Sequence, residues 1–225
     1  GEDMYFTAEY LSEIIKELKR NDIAVTLSIG ERSFDEYALL KDAGADRFLL
    51  RLETSDKELY ETMHPKASYE NRKRCLSDLK RLGFETGTGC LVGLPGQSLS
   101  SLADDILFFK EIDADMIGIG PFIPHTHTPL KGSSSGSFNL ALKVMALTRL
   151  LLPDINIPAT TAMETLQSDG RILALQSGAN VVMPNLSPVA VRKDYSLYDN
   201  KICTGDEAAE CVNCMKRRMD SVGYH

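Results

Sequence analysis

The sequence predicts an α/β protein built on a parallel sheet, and three observations carry that expectation. Six short β-branched or apolar runs alternate with amphipathic helical stretches along the 225 residues. Each run is apolar enough to be buried on both faces, as strands of a parallel sheet are. Helix-start and helix-stop residues fall between the runs. An open doubly wound sheet and part of a barrel both fit this rhythm. A chain of this length buries roughly 70% of its unfolded surface, so a core needs no disulfide or metal.

The elements follow in order. Residues 10–20 place Leu11, Ile14, Ile15 and Leu18 on one helical face. Residues 24–29 read as a strand. Ser33-Phe-Asp-Glu36 has capping-box spacing and opens a helix that stops near Gly44. Residues 48–53 form the next strand, and Ser55-Asp-Lys-Glu58 repeats the box spacing. A long helix over 69–82 ends at Gly83. Strand 86–94, helix 99–112 and strand 116–123 continue the series. A Ser/Gly-rich loop at 131–137 precedes a helix over 140–152. Strand 157–162, a helix at 171–177, strand 181–184 and a last helix over 207–222 complete it.

Acidic residues outnumber basic ones 32 to 25, a net charge of −7, which argues against a nucleic-acid or lipid-surface role. The most apolar stretch, 144–152, is interrupted by Arg149 and is too short to cross a bilayer. No basic leader precedes an apolar segment, so a cytoplasmic location is expected. Five cysteines, three in the last 25 residues, suit a reducing compartment with metal chemistry better than a disulfide framework. The chain opens Gly1-Glu2-Asp3-Met4, which reads as a piece cut from a longer protein.

Two glycine-rich strings resemble phosphate loops and fail as such. Gly87-Thr-Gly89-Cys-Leu-Val-Gly93 is one residue too long for the dinucleotide fingerprint, and Gly93-Leu-Pro-Gly96-Gln97 lacks a following Lys-Ser/Thr. Both read as tight turns. Arg51-Leu52-Glu53 closes its strand with two opposite charges on one face, a structural ion pair or a ligand contact. Thr160-Thr161 ends another strand and offers two hydroxyls, although Thr also suits strands by propensity. His125 and His127 lie in a Pro-punctuated loop that fixes no metal geometry, so pocket-wall roles rank above metal binding. Cys203, Cys211 and Cys214 have spacing that suits an iron–sulfur cluster or zinc, with packed cysteines as the alternative. Tyr195 and Tyr198 precede them.

Taken together, Gly1-Glu2-Asp3, Arg51-Leu52-Glu53-Thr54, Val92-Gly-Leu-Pro-Gly-Gln97, Gly120-Pro-Phe-Ile-Pro-His125, Ile157-Pro-Ala-Thr-Thr-Ala-Met163 and Val182-Met-Pro-Asn185 form an ordered set. With Tyr195, Tyr198 and the Lys201-Ile-Cys203, Cys211, Cys214 series, the chain resembles the radical S-adenosylmethionine maturases of FeFe-hydrogenase, in the biotin-synthase-like group. The resemblance runs over essentially the whole chain. It implies a (β/α)8 TIM-type barrel lacking its first strand–helix units, with about six βα units present. Residues 1–200 would form this part-barrel and 201–225 a helical extension with a cysteine cluster site.

The resemblance also implies the chemistry. Members hold a 4Fe–4S cluster on C-x3-C-x2-C, a motif this sequence lacks. The cluster cleaves S-adenosylmethionine to methionine and a 5′-deoxyadenosyl radical, which acts on a small sulfur-containing or organoiron substrate. Other hydrogenase maturation proteins are the implied partners, and nucleic acid and membrane are not. Without the motif, the chain is expected not to perform the cleavage alone. Glu2 would hold the methionyl amine, Arg72 its carboxylate and Glu53 the ribose. Thr26, Arg51, Thr160, Thr161, Tyr195 and Tyr198 match substrate-cavity positions, with Met116 and Met183 as its apolar wall. Cys203, Cys211 and Cys214 match an accessory cluster site that is dispensable in the family. Leu52 stands where a His is common. Biotin synthase and methylornithine synthase are the near alternatives; a non-catalytic part-barrel binding S-adenosylmethionine or a metal is the alternative of another class.

Overall fold

A computed structural model describes residues 2–202, 205 and 208–223, without the side chains of residues 193, 208, 209 and 211. The chain divides into two compact units, Gly1–Cys90 with Leu99–Gly118, and Leu91–Ser98 with Ile119–His225. The elements run α1 (Ala8–Lys19), β1 (Thr26–Leu27), α2 (Phe34–Asp42), β2 (Arg47–Leu49), α3 (Lys57–Met63), α4 (Tyr69–Arg81), β3 (Glu85–Val92), α5 (Leu99–Glu111) and β4 (Met116–Pro121). After β4 come α6 (Phe138–Leu151), α7 (Thr161–Leu166), α8 (Gly170–Gln176), a 3-10 helix (Val189–Tyr195) and α9 (Ala208–Asp220). The sheet has the order β1-β2-β3-β4, with β1–β2 and β2–β3 parallel. Sequential order with a helix at each crossover is the α/β arrangement the sequence predicts.

In the first unit, helix α1 packs on α2, and α2 and α3 on α4. Ser33 is a true capping box: its hydroxyl accepts from Glu36 N and the Glu36 carboxylate accepts from Ser33 N. The second box reads differently. Asp56, not Ser55, caps α3, its Oδ1 accepting from Leu59 N at 3.0 Å. Gly83, at φ +74°, ends the turn after α4 as its position demands. On α1 the buried stripe is Ala8, Ser12 and Ile15, while Ile14 and Leu18 are exposed. Ser12 is tolerated there because its hydroxyl donates to Ala8 O at 2.7 Å. Tyr37, Phe48 and Phe84 form an edge-to-face aromatic series with centroids 5.1 and 5.8 Å apart, backed by buried Leu40, Leu50, Leu52, Leu76 and Leu79.

The second unit departs from the expected strands at 157–162 and 181–184. Both shrink to one parallel bridge, Pro158 with Val181. The reason is local: Thr160 adopts the extended N-cap conformation and Thr161 begins α7, so the chain turns helical where β propensity suggested extension. In this unit the Gln97 carboxamide oxygen accepts from Gly93 N and Leu94 N, while its nitrogen donates to Leu91 O. The amides a phosphate would need are therefore taken. Among the described residues no helix is long and apolar enough to cross a membrane.

Candidate functional site

Charged side chains of the first unit gather around the ends of β1 and β2. Gly30, at φ +81°, leaves room that a Cβ would take from the Glu2 side chain. Next to it, the Glu31 carboxylate accepts from Arg72 Nε at 2.7 Å and from Asn71 Nδ2 at 2.5 Å. Arg72, projected from the first turn of α4, also donates to Glu2 Oε1 at 3.0 Å and to Arg51 O at 3.2 Å. Arg32 is buried; its Nη2 donates to Asp3 O and Phe6 O at 3.1 and 3.3 Å. Residues 30–32 thus seat the segment that carries Glu2. The sequence reading singled out Glu2 and Arg72 but missed Glu31, Arg32 and Asn71. The charged pair directly after a strand was the signal available, the same one that marked Arg51 and Glu53.

Arg51 and Glu53 meet as expected, Nη2 to Oε2 at 3.0 Å, with Leu52 buried on the opposite side. Arg51 Nη2 also donates to Cys90 O at 2.6 Å. Arg51 Nε is buried without a hydrogen-bond partner, while the buried Glu53 Oε2 has the ion pair with Arg51 but no hydrogen bond. An unpaired buried donor such as Arg51 Nε costs about 1–3 kcal/mol, which a ligand acceptor removes by pairing with it. The Arg51 side chain runs over Gly118, whose Cβ position lies 3.7 Å from Arg51 Cδ and Nε. Glu53 has φ +69°, a left-handed conformation unusual for a long side chain. Met116 reaches in beside Gly87, and Thr26 is exposed.

The turn after Glu53 is tied down by a residue absent from the sequence reading. Asp105 of α5 is 1% exposed and its Oδ1 accepts from Ser55 N at 2.5 Å. Tyr69 of α4 donates its hydroxyl to Ser55 O at 2.9 Å. Burial pushes the Asp105 carboxyl up from 3.8 to about 6, against the Ser55 hydrogen bonds that favour its charge. A raised acid binds its proton more tightly in the folded state, so its contribution is fully present below about pH 4 and is lost as pH rises to about 6. Asp105→Asn is therefore expected to gain stability relative to the parent across that window, by about 2–3 kcal/mol at neutral pH. Denaturant melts of both proteins at several pH values check this; a difference independent of pH contradicts it.

In the second unit, Thr161 Oγ1 and the Tyr198 hydroxyl lie 2.8 Å apart. Thr160 Oγ1 is buried without a partner, 3.2 Å from the Cβ position of Gly120, and makes no cap bond to its own helix. Tyr195 and Met183 are largely exposed, and Tyr195 O accepts from Lys201 Nζ at 2.7 Å. Glu164 of α7 is buried between Arg171, at 3.2 Å, and Arg218 of α9. The Thr126 hydroxyl between His125 and His127 donates to Asp199 at 2.7 Å. Among the described residues no three His, Cys, Asp or Glu side chains are grouped to hold a metal. Cys203 lies outside the described residues, as does the Cys211 side chain; Cys214 is half-buried and free.

The Radical SAM superfamily profile matches residues 2–109. The FeFe hydrogenase maturase subunit HydE of Thermotoga maritima is 51% identical over 223 residues, 99% of this chain and 64% of its own length. The 3-methylornithine synthase of Methanosarcina acetivorans is 29% identical over 227 residues, 99% of this chain and 63% of its own length. This chain thus spans less than two thirds of either relative. Among solved structures, that of methylornithine synthase (PylB) matches with a TM-score of 0.82 at 27% identity, covering 100% of this chain and 66% of that one.

Proposed function

We propose that this chain, whose residues 2–109 match the Radical SAM superfamily profile, is a radical SAM protein and that its first unit binds S-adenosylmethionine. The observation that carries the reading is the Arg51–Glu53 pair: Arg51 Nε is buried without a hydrogen-bond partner above the Gly118 cradle, beside Glu53 Oε2, which faces Arg51 Nη2 at 3.0 Å. Those atoms suit a ligand with hydroxyls, and a ribose offers two acceptor–donor groups to a carboxylate. The amino-acid end of the ligand is zwitterionic, and Glu2 with Arg72 presents one charge of each sign to it. Glu53 holds the ribose in this reading, Glu2 the amine and Arg72 the carboxylate. When bound, the cofactor supplies such enzymes with an adenosyl radical; the chain binds and orients it.

The superfamily also implies a radical-generating 4Fe–4S cluster, and the described residues of the first unit do not fit one. No C-x3-C-x2-C occurs in the sequence. Cys75 and Cys90 are fully buried, and burial pushes both thiols up, away from the thiolate a cluster needs. The chain as it stands binds the cofactor without cleaving it. The whole protein acts in FeFe-hydrogenase maturation, on a small sulfur-containing or organoiron substrate, with the identity to the Thermotoga maritima relative as the support. Thr160, Thr161, Tyr195 and Tyr198 are hydroxyls for a polar substrate group, and Cys203, Cys211 and Cys214 an accessory cluster site.

Isothermal titration with S-adenosylmethionine tests the binding. Glu53→Gln is expected to weaken it about tenfold or more, the worth of a hydrogen bond to a charged group. A parent chain that shows no binding, or a Glu53→Gln variant that binds unchanged, contradicts the reading.

A further inference from the structure

The turn that carries Glu53 is strained at φ +69° and needs something to hold it. Thr54 Oγ1 accepts from Asp56 N at 3.2 Å and Ser55 Oγ donates to Ser101 O at 3.5 Å; Gly89 O accepts from Glu53 N at 2.9 Å, Tyr69 holds Ser55 O, and Asp105 holds Ser55 N. Only the last is a buried carboxylate, and its second oxygen, Oδ2, is buried without a hydrogen-bond partner. A neutral amide or hydroxyl could accept from Ser55 N without burying a charge. The carboxylate grips the amide harder, because a hydrogen bond to an ionised acceptor is roughly twice as strong as a neutral one. The charge thus adds nothing evident to the core and is spent on the turn that aims Glu53.

We propose that Asp105 is the positioning residue for the Glu53 carboxylate, closing the 53–56 turn when ionised and loosening it when protonated, so that adenosyl-ligand binding weakens on acidification. The proposal rests on the reading of Glu53 as a ligand contact. The groups facing Asp105 are Asp104 on its own helix, Asp56 on the turn, Tyr69 on α4 and Cys90 on β3. Asp104 and Asp56 add like charge that opposes ionisation. Burial holds the Tyr69 phenol and the Cys90 thiol above their usual ranges, so neither competes at acid or neutral pH. Burial raises Asp105 itself to about 6, which places the change between mildly acid and neutral conditions.

The test is titration of the full chain with S-adenosylhomocysteine from about pH 5 to about pH 8, using the parent, Asp105→Asn and Glu53→Gln. The parent is expected to lose about fivefold in affinity on acidification, the difference between a charged and a neutral acceptor. Asp105→Asn keeps an acceptor for Ser55 N and should bind at the weak acid level throughout, even though it is the more stable protein at neutral pH. A merely structural role predicts the opposite coupling of stability and affinity. An Asp105→Asn variant with the parent's affinity and pH profile, beside a weakened Glu53→Gln, overturns this proposal alone. A Glu53→Gln variant that binds like the parent overturns the ligand contact on which it rests. Should Asp105→Asn fail to fold, the backbone amide proton of Ser55 in the parent still reports. Its NMR shift should titrate with a midpoint of about 6, and a shift that does not move overturns the proposal.

Discussion

Replacing Arg72 by methionine is expected to abolish measurable binding of S-adenosylmethionine and to lower stability by about 2–3 kcal/mol. Arg72 connects three partners: the Glu31 and Glu2 carboxylates and the Arg51 carbonyl. Its side chain is only 9% exposed, and Glu31 is 21% exposed. Methionine keeps much of the stem packing but leaves Glu31 facing the site with Asn71 as its remaining partner. Glu2, more open at 57%, regains water and loses its position instead. The melting temperature should fall by roughly 5–10 °C at this chain length. Arg72→Lys separates charge from geometry. One ammonium cannot hold three partners spread around a planar guanidinium, so it should keep most of the stability and little of the affinity. A methionine variant with parental binding contradicts the assignment of Arg72 to the carboxylate.

Gly89→Ala is expected to cost about 3 kcal/mol, at the upper end for overpacking. A Cβ on Gly89 would overlap the backbone carbonyl of Gly118 on the neighbouring strand, and neither strand has a flexible group that can give way. Gly87 two residues earlier supplies the control. Its Cβ position lies 3.0 Å from the end of Met116 and from Leu49 Cδ1, side-chain atoms that can shift, so Gly87→Ala should cost about 1 kcal/mol or less. The contrast also bears on the site, because Gly118 is the surface beneath Arg51. Chemical denaturation of both variants checks the order; equal losses contradict it.

The parts of this fold that were legible in the sequence are those fixed by neighbours along the chain. The Ser33 capping box, the Gly83 stop and the shared face of Arg51 and Glu53 need only local spacing, and all three are present. The Ser55 box failed because two residues compete there. Ser55 N is taken by Asp105 from a distant helix, and Asp56 then supplies the cap. Propensity makes Thr160 and Thr161 the end of a strand, and a helix start overrides it. Glu31, Arg32 and Asp105 were missed because their meaning lies in partners 41, 29 and 50 positions away. No periodicity encodes such distances. The resemblance pointed to Glu2 and Arg72, and the geometry adds that Glu31 and the residues around it hold them in place.

The most direct test of the central claim is a crystal structure of this chain with S-adenosylhomocysteine. The account predicts the ribose hydroxyls on Glu53, Arg51 Nε drawn into a hydrogen bond, and the amino-acid end between Glu2 and Arg72. A ligand bound elsewhere, with Arg51 Nε still unpaired and no ribose hydroxyl on Glu53, would contradict it.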